Sequence, residues 1–171
     1  MLKALGLMGL VTVCGLIGMM KAGELRRRAE LLEDFQSMMI EVKGQINYFR
    51  EPLPDIFIKL GENGESEAFS FLTRAGDMLK EKNGDIAGIW SSQVMKTYEK
   101  EPLTEEDLRI LRYPGEFVGQ TDFDNQIYHF EYFEEKMNKQ ISGARDDVMK
   151  KGPMYAKTGF FAGAVIAIIL I

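Results

Sequence analysis

After a charge-free stretch from Ala4 to Met20, the apolar residues Leu25, Ala29, Leu32, Phe35, Met39, Val42, Ile46 and Phe49 recur at steps of three and four. That spacing predicts one long amphipathic helix running straight out of the apolar segment. It should stop at Glu51-Pro52-Leu53-Pro54, because proline lacks an amide donor and disfavours helix in the residue before it. A short helix is predicted from about Pro54 to Leu60, closed by Gly61-Glu-Asn-Gly64, whose residues tolerate left-handed backbone. From roughly Ser66 to Lys82, Phe69, Leu72, Ala75, Met78 and Leu79 form an inward face, and Asn83-Gly84 ends it. Asp85 is placed to cap a helix from Ile86 to about Lys100 with Ile89, Trp90, Val94 and Tyr98 inside.

Pro102 closes that helix, and Thr104-Glu-Glu-Asp107 reads as a cap with acids in the first turn. The helix it opens carries Leu108, Ile110 and Leu111, and Pro114-Gly115 should kink or break it. The last helix of the middle begins near Asp122, with Phe123, Ile127, Phe130, Met137, Ile141, Ala144 and Val148 apolar. Glu134 is expected in the place between Phe130 and Met137. No stretch alternates apolar and polar residues convincingly, and nothing repeats at a solenoid period. The fold class is therefore all-α: an antiparallel bundle of about six helices flanked by two transmembrane helices.

The two ends set the domain plan: residues 1–21 as a transmembrane segment, 22–152 as a cytoplasmic bundle and 153–171 as a second transmembrane segment. Ala4 to Met20 is ~17 residues, about 25 Å as helix, against a bilayer core of ~30 Å. A cleaved signal peptide is the competing reading, and Cys14 after Val13 raises a lipoprotein variant. Both fit less well, since Lys3 stands alone before the stretch and Val13 is bulky where a small residue is wanted. Thr158 to Ile171 has no polar face to turn to water, which argues against a buried core helix. Lys21, Arg26, Arg27 and Arg28 follow the first segment, Lys150, Lys151 and Lys157 precede the second, and only Lys3 flanks the far side. The positive-inside rule then places residues 21–157 in the cytoplasm and both termini outside. Gly159-Phe-Phe-Ala-Gly163 has the spacing that permits close helix approach.

Charge narrows the functions. The chain has a formal charge of −5, and all 26 acidic residues lie between the ends, so nucleic-acid binding is not expected. The single cysteine, Cys14, sits in the first apolar segment, so there is no disulfide framework. No glycine-rich loop carries the lysine and hydroxyl of a phosphate cradle. The only histidine, His129, lies on the run Tyr128-His-Phe-Glu-Tyr-Phe133 and is read as packed or surface-lying rather than as a ligand. No Glu-x-x-His pair is present, and no cofactor or metal is expected. Residues left over by a plain bundle are Glu41, the helix exit Ile46-Asn-Tyr-Phe-Arg-Glu-Pro-Leu53, and Gly119-Gln-Thr-Asp122 with Gln126.

At these residues the sequence resembles the stage III sporulation protein AB family of endospore-forming bacteria. The resemblance runs through Met-Leu-Lys before the apolar segment, Glu41 ahead of Ile46-x-Tyr48, Pro52-Leu53, Trp90, Leu103-Thr104-x-x-Asp107-Leu108, Gly119-x-x-Asp122-x-x-x-Gln126 and the apolar tail. Two departures are Pro114, which interrupts a helix that the family usually runs through, and Gly152-Pro153, which is expected to break the approach to the second membrane segment. The resemblance implies a part in the channel complex linking mother cell and forespore, and a likeness to the cytoplasmic domain of F-type inner-membrane platform proteins of type II secretion and type IV pilus systems. It further implies the mother-cell membrane as location, with a stage III sporulation protein AA-type ATPase and other channel subunits as partners. Homo-oligomerisation is open.

The expected function is thus a non-enzymatic platform or adaptor, with Glu41, Asn47, Arg50, Gly119, Asp122 and Gln126 as contact or bundle-locking residues. Gly119 and Asp122 are also explained as the turn and cap before the last helix. The alternatives are a membrane-bound enzyme using a divalent metal at Asp122, Asp124 and Glu131, and a purely structural helical tether.

Overall fold

The computed structural model describes residues 2–48, 51–64, 66–81, 84–120 and 123–169, without the side chains of 2–7, 10, 47, 67, 123 and 124. These residues form seven helices and no strand: α1 (Leu2–Tyr48), α2 (Leu53–Asn63), α3 (Glu67–Lys80), α4 (Ile86–Tyr98), α5 (Glu105–Arg112), α6 (Pro114–Phe117) and α7 (Phe123–Ile169). The chain divides into two compact units, Met1–Ala29 with Ser142–Ile171, and Glu30–Ile141.

The unit Glu30–Ile141 is built around aromatic rings. Phe35 of α1 lies 6.1 Å from Phe71, 6.2 Å from Trp90, 5.9 Å from Tyr98 and 6.3 Å from Phe133, ring centre to ring centre. One side chain therefore joins α1, α3, α4 and α7. Trp90 meets Phe71 edge to face at 4.8 Å and gives its indole proton to the Leu111 carbonyl at 2.9 Å, so its polar atom is satisfied inside the core. Helices α2 and α3 pack closely because glycines notch the contact. A Cβ on Gly76 would fall 2.8 Å from Ile58 Cγ1 and 2.9 Å from the Pro54 carbonyl.

Two sequence expectations are corrected here. The turn signal at Gly61 does not end α2, which runs on to Asn63. Gly61 is buried, and a Cβ there would collide with Thr73. It is a glycine because α3 lies against it. Nor does Glu134 take the place between Phe130 and Met137: Phe133 fills that place at 1% exposure, while Glu134 turns outward to pair with Lys43 at 2.8 Å. Phe130, Phe133 and Met137 keep the three-four spacing, and the carboxylate is held by a cation instead of being buried.

The other unit is a hairpin of the first part of α1 against the last part of α7. Its crossing is made of glycines. A Cβ on Gly18 would stand 2.5 Å from the Tyr155 carbonyl, and one on Gly159 would stand 2.6 Å from the Cys14 carbonyl and 3.1 Å from Gly18 Cα. Gly163 faces Val11 and Cys14 in the same way. Gly159 and Gly163 thus face α1, as their spacing allows. The expected break at Gly152-Pro153 does not occur, since Pro153 lies inside α7. Proline removes one i→i−4 bond, and the remaining bonds on either side hold the helix through it.

Among the described residues one helix is long and apolar enough to cross a membrane, the Asn125–Ile169 run of α7, by length and composition alone. Around it the hairpin presents large apolar side chains outward on both helices: Ile17 is 56% exposed, Met20 67%, Phe161 64% and Ile168 71%. In water that surface would be an association liability; in lipid it is solvated.

Candidate partner-docking surface

The site is built on α5, α6 and the first part of α7, all within the unit Glu30–Ile141. Its foundation is a reciprocal cap. Thr104 Oγ1 accepts from the Asp107 amide at 3.2 Å, and the Asp107 carboxylate accepts from the Thr104 amide at 2.8 Å, which fixes where α5 starts. Leu108, Ile110 and Leu111 are buried. Pro114 then ends α5 as expected, and the carbonyls this frees are taken up. Ile110 O receives the Tyr113 amide at 3.2 Å, and Leu111 O receives the Trp90 indole. Gly115 passes directly over Trp90, where a Cβ would be 2.7 Å from Trp90 Cβ. Helix α6 can cross the core only with a glycine at that point.

This route delivers Tyr113 and Phe117 to α7. The Tyr113 hydroxyl lies 2.5 Å from His129 Nδ1, and the His129 ring stacks on Phe117 at 5.4 Å and 18°. The chain's histidine is thus packed into an aromatic cluster. Burial first, then the neighbouring Tyr132, Glu116 and Tyr128, pushes the Tyr113 phenol above its ordinary range, so it is a neutral hydroxyl at physiological pH. Tyr132 meets Tyr113 at 5.5 Å, and the Lys136 amine sits 5.0 Å above the Tyr132 ring.

Between α5 and α7 these side chains line a groove of about 360 Å³. Ile110, Tyr113, Tyr132 and Phe133 supply its apolar wall, and Glu106, Arg109, Glu116 and Lys136 its charged rim. Arg109 is held by an ion pair with Glu106. Tyr128 and Tyr132 stand one turn apart on α7, 64% and 41% exposed. Tyrosine, phenylalanine and arginine are enriched at protein interfaces, and an interface rim is polar and solvent-accessible. Among the described residues no three His, Cys, Asp or Glu side chains converge to hold a metal ion.

The residues singled out from the sequence fall elsewhere. Glu41 is exposed on α1, two residues and so about 200° around the helix from Lys43, which faces Glu134 and Phe130 of α7. Asn47 lies in α1 with its side chain undescribed, and Arg50 and Asp122 are outside the described residues. Gly119 carries the turn before α7. Its φ is +73°, and a Cβ there would be 2.9 Å from Leu53 Cδ2. Gln126 is 8% exposed, and its side-chain NH2 has no hydrogen-bond partner among the described residues. Of the metal-enzyme set, Glu131 is exposed, the Asp124 side chain is undescribed and Asp122 is outside the described residues. The groove residues Arg109, Tyr113, Tyr132 and Lys136 were missed. Of the four only Tyr132 carried a signal, the Tyr128-to-Phe133 run, in which Phe130 and Phe133 point inward while Tyr128 and Tyr132 share the outward face.

Among solved structures, one described as stage III sporulation protein AB (SpoIIIAB) is similar to this chain with a TM-score of 0.65 at 15% identity, covering 71% of this chain and 96% of that one. At that identity the likeness concerns the fold. No curated protein matches the chain in sequence. The sequence itself matches the family of stage III sporulation protein AB over residues 3–171. A match of that extent, together with the shared helical fold, means that the chain belongs to the stage III sporulation protein AB family of sporulation proteins.

Proposed function

We propose that this chain is a membrane-anchored platform subunit of the mother cell–forespore channel complex, an assembly part rather than a catalyst, whose bundle docks the cognate stage III sporulation protein AA-type ATPase. The observation that carries the reading is the aromatic groove between α5 and α7, flanked by the exposed Tyr128 and Tyr132. In a purely structural tether this outward aromatic face would have no task.

The anchor is the hairpin, with the first part of α1 as a second span beside α7. The cations Lys21 and Arg26 to Arg28 on α1, and Lys150, Lys151 and Lys157 on α7, lie on the same side of it. By the positive-inside rule this clustering supports an acidic bundle facing the mother-cell cytoplasm, the compartment of the proposed ATPase, with both termini outside. Glu41, exposed on the side of α1 turned away from Lys43 and its α7 partners, offers a second contact point to another channel subunit or another copy.

The full-length chain in lipid nanodiscs should bind the purified ATPase, and Tyr128→Ala with Tyr132→Ala should weaken that binding at least tenfold. Interface aromatics of this kind carry roughly 2–4 kcal/mol, and about 1.4 kcal/mol is a factor of ten. The double variant should melt within about 2 °C of the parent, since both rings are already part-exposed. Unchanged affinity in the variant would remove the groove from the interface. No affinity in the parent would leave the tether reading standing.

A further inference from the structure

A second groove lies within the hairpin unit, and its chemistry differs from the first. It holds about 290 Å³ between Met19, Ala22, Gly23 and Arg26 of α1 and Val148, Gly152, Pro153 and Ala156 of α7. The two helices run antiparallel there, with Gly18 level with Tyr155, so Met19 and Ala156 mark one end and Arg26 and Val148 the other. The seven helical steps from Met19 to Arg26 give the groove a length of about 10 Å. It is open because two glycines leave it so: a Cβ on Gly23 or Gly152 would meet nothing within 4 Å.

The groove is amphiphilic along its length. Its Met19 end borders the charge-free stretch, and its Arg26 end lies among the basic residues that flank it. Carboxylates in this unit are already engaged: Glu24 by Lys21, Asp146 by Lys150, and Asp147 by both Lys151 and Arg28. Arg26 is exposed and has no ion pair among the described residues. One cation without a counter-charge therefore closes an otherwise apolar slot at the depth of the lipid headgroups.

We propose that this groove binds one phospholipid with an anionic headgroup, its phosphate on the Arg26 guanidinium and the start of an acyl chain over Met19, Ala22, Gly23 and Gly152. A guanidinium matches phosphate with two parallel hydrogen bonds, and basic pockets between membrane helices on the cytoplasmic side suit anionic headgroups. The bound lipid fills the space the glycines leave and joins α1 to α7 where they emerge from the bilayer. The inference rests on the reading that both helices of the hairpin enter the membrane.

The test is native mass spectrometry of the full chain released from nanodiscs of equal phosphatidylglycerol and phosphatidylcholine. The parent should retain phosphatidylglycerol at least fivefold over phosphatidylcholine. Arg26→Gln should lose that preference by removing the cation, and Gly152→Leu should lose it by filling the slot, into which a Cβ at 152 enters with nothing within 4 Å. Lys150→Gln, which removes an exposed charge already paired with Asp146, should keep it. Equal retention of the two lipids by the parent overturns the proposal. So does a preference unchanged in both Arg26→Gln and Gly152→Leu, which would assign it to diffuse positive charge. A chain that fails to enter the discs, or that alkaline carbonate strips from membranes, overturns the membrane reading itself and the proposal with it.

Discussion

Trp90→Ala is expected to be the most damaging single truncation of the unit Glu30–Ile141, at about 3–5 kcal/mol. The indole is 1% exposed and touches the Phe35, Phe57 and Phe71 rings, so its removal opens a cavity bordered by α1, α2 and α3. Edge-to-face pairing such as that with Phe71 adds roughly 0.5–1.5 kcal/mol beyond burial. The Leu111 carbonyl also loses its donor at the point where Pro114 has already interrupted the helix, and an orphaned buried acceptor costs about 1–3 kcal/mol. In a thermal melt of the full chain in detergent, followed by near-ultraviolet circular dichroism, the midpoint should fall by at least about 10 °C. Trp90→Phe, which keeps a ring but not the indole proton, should fall by clearly less. Equal melting of parent and Trp90→Ala would mean that the rings around Phe35 do not form the core.

The second large effect belongs to the hairpin. If both helices lie in the membrane, as proposed, the lipid tails around them are as apolar as their side chains, so close packing and not expulsion of water would hold them together. Gly159→Leu should therefore separate them, because even its Cβ would stand 2.6 Å from the Cys14 carbonyl, and backbone cannot yield as a side chain can. The native cysteine offers the readout. A Cβ on Gly163 would lie 3.0 Å from Cys14 Cβ and 2.9 Å from Val11 Cα, so Gly163→Cys places a second thiol beside the first once the helices give by under about 1 Å, which relieves the Val11 contact and brings the pair toward ordinary disulfide spacing. Oxidation of that variant in nanodiscs should close an intramolecular disulfide, seen as a gel-mobility shift reversed by reductant. Adding Gly159→Leu should cut the yield at least tenfold. A cross-link that forms equally well with Leu at 159 would contradict the glycine crossing.

How legible this was in the sequence depended on how local the signals were. The cap at Thr104 and Asp107, the break at Pro114 and the inward faces of α4 and α5 were readable because each rests on residues within one or two turns. Gly61 was misread because a glycine required by a neighbouring helix and a glycine required by a turn look alike in one dimension. Phe133 was passed over for Glu134 because the two positions differ by one step, and only the partner Lys43, 91 residues away, decides which faces out. The continuity of α7 through Pro153 also lay beyond local rules, since a proline's effect depends on whether the helix around it is held.

The site was less legible than the fold. Glu41, Gly119 and Gln126 were noticed as residues a plain bundle does not explain. The structure gives Gly119 a backbone reason, its positive φ against Leu53, and leaves the buried side-chain NH2 of Gln126 without a hydrogen-bond partner among the described residues. The groove was invisible because it joins residues 106 and 109 of one helix to 132 and 136 of another, and neither set has a motif. Aromatic residues on a helix are more often core than interface, and in the Tyr128-to-Phe133 run both kinds alternate within two turns.

The proposed platform role requires that the outward aromatic face of α7 meet the ATPase. The most direct measurement is photo-crosslinking in sporulating cells of the full-length chain, with a benzophenone amino acid at position 132 and, as control, at the exposed Lys96 of α4. The expected result is a covalent product from position 132 that contains the stage III sporulation protein AA-type ATPase, and none from position 96. A membrane-retained, folded chain that gives no ATPase product from position 132, or gives it equally from both positions, would contradict the account.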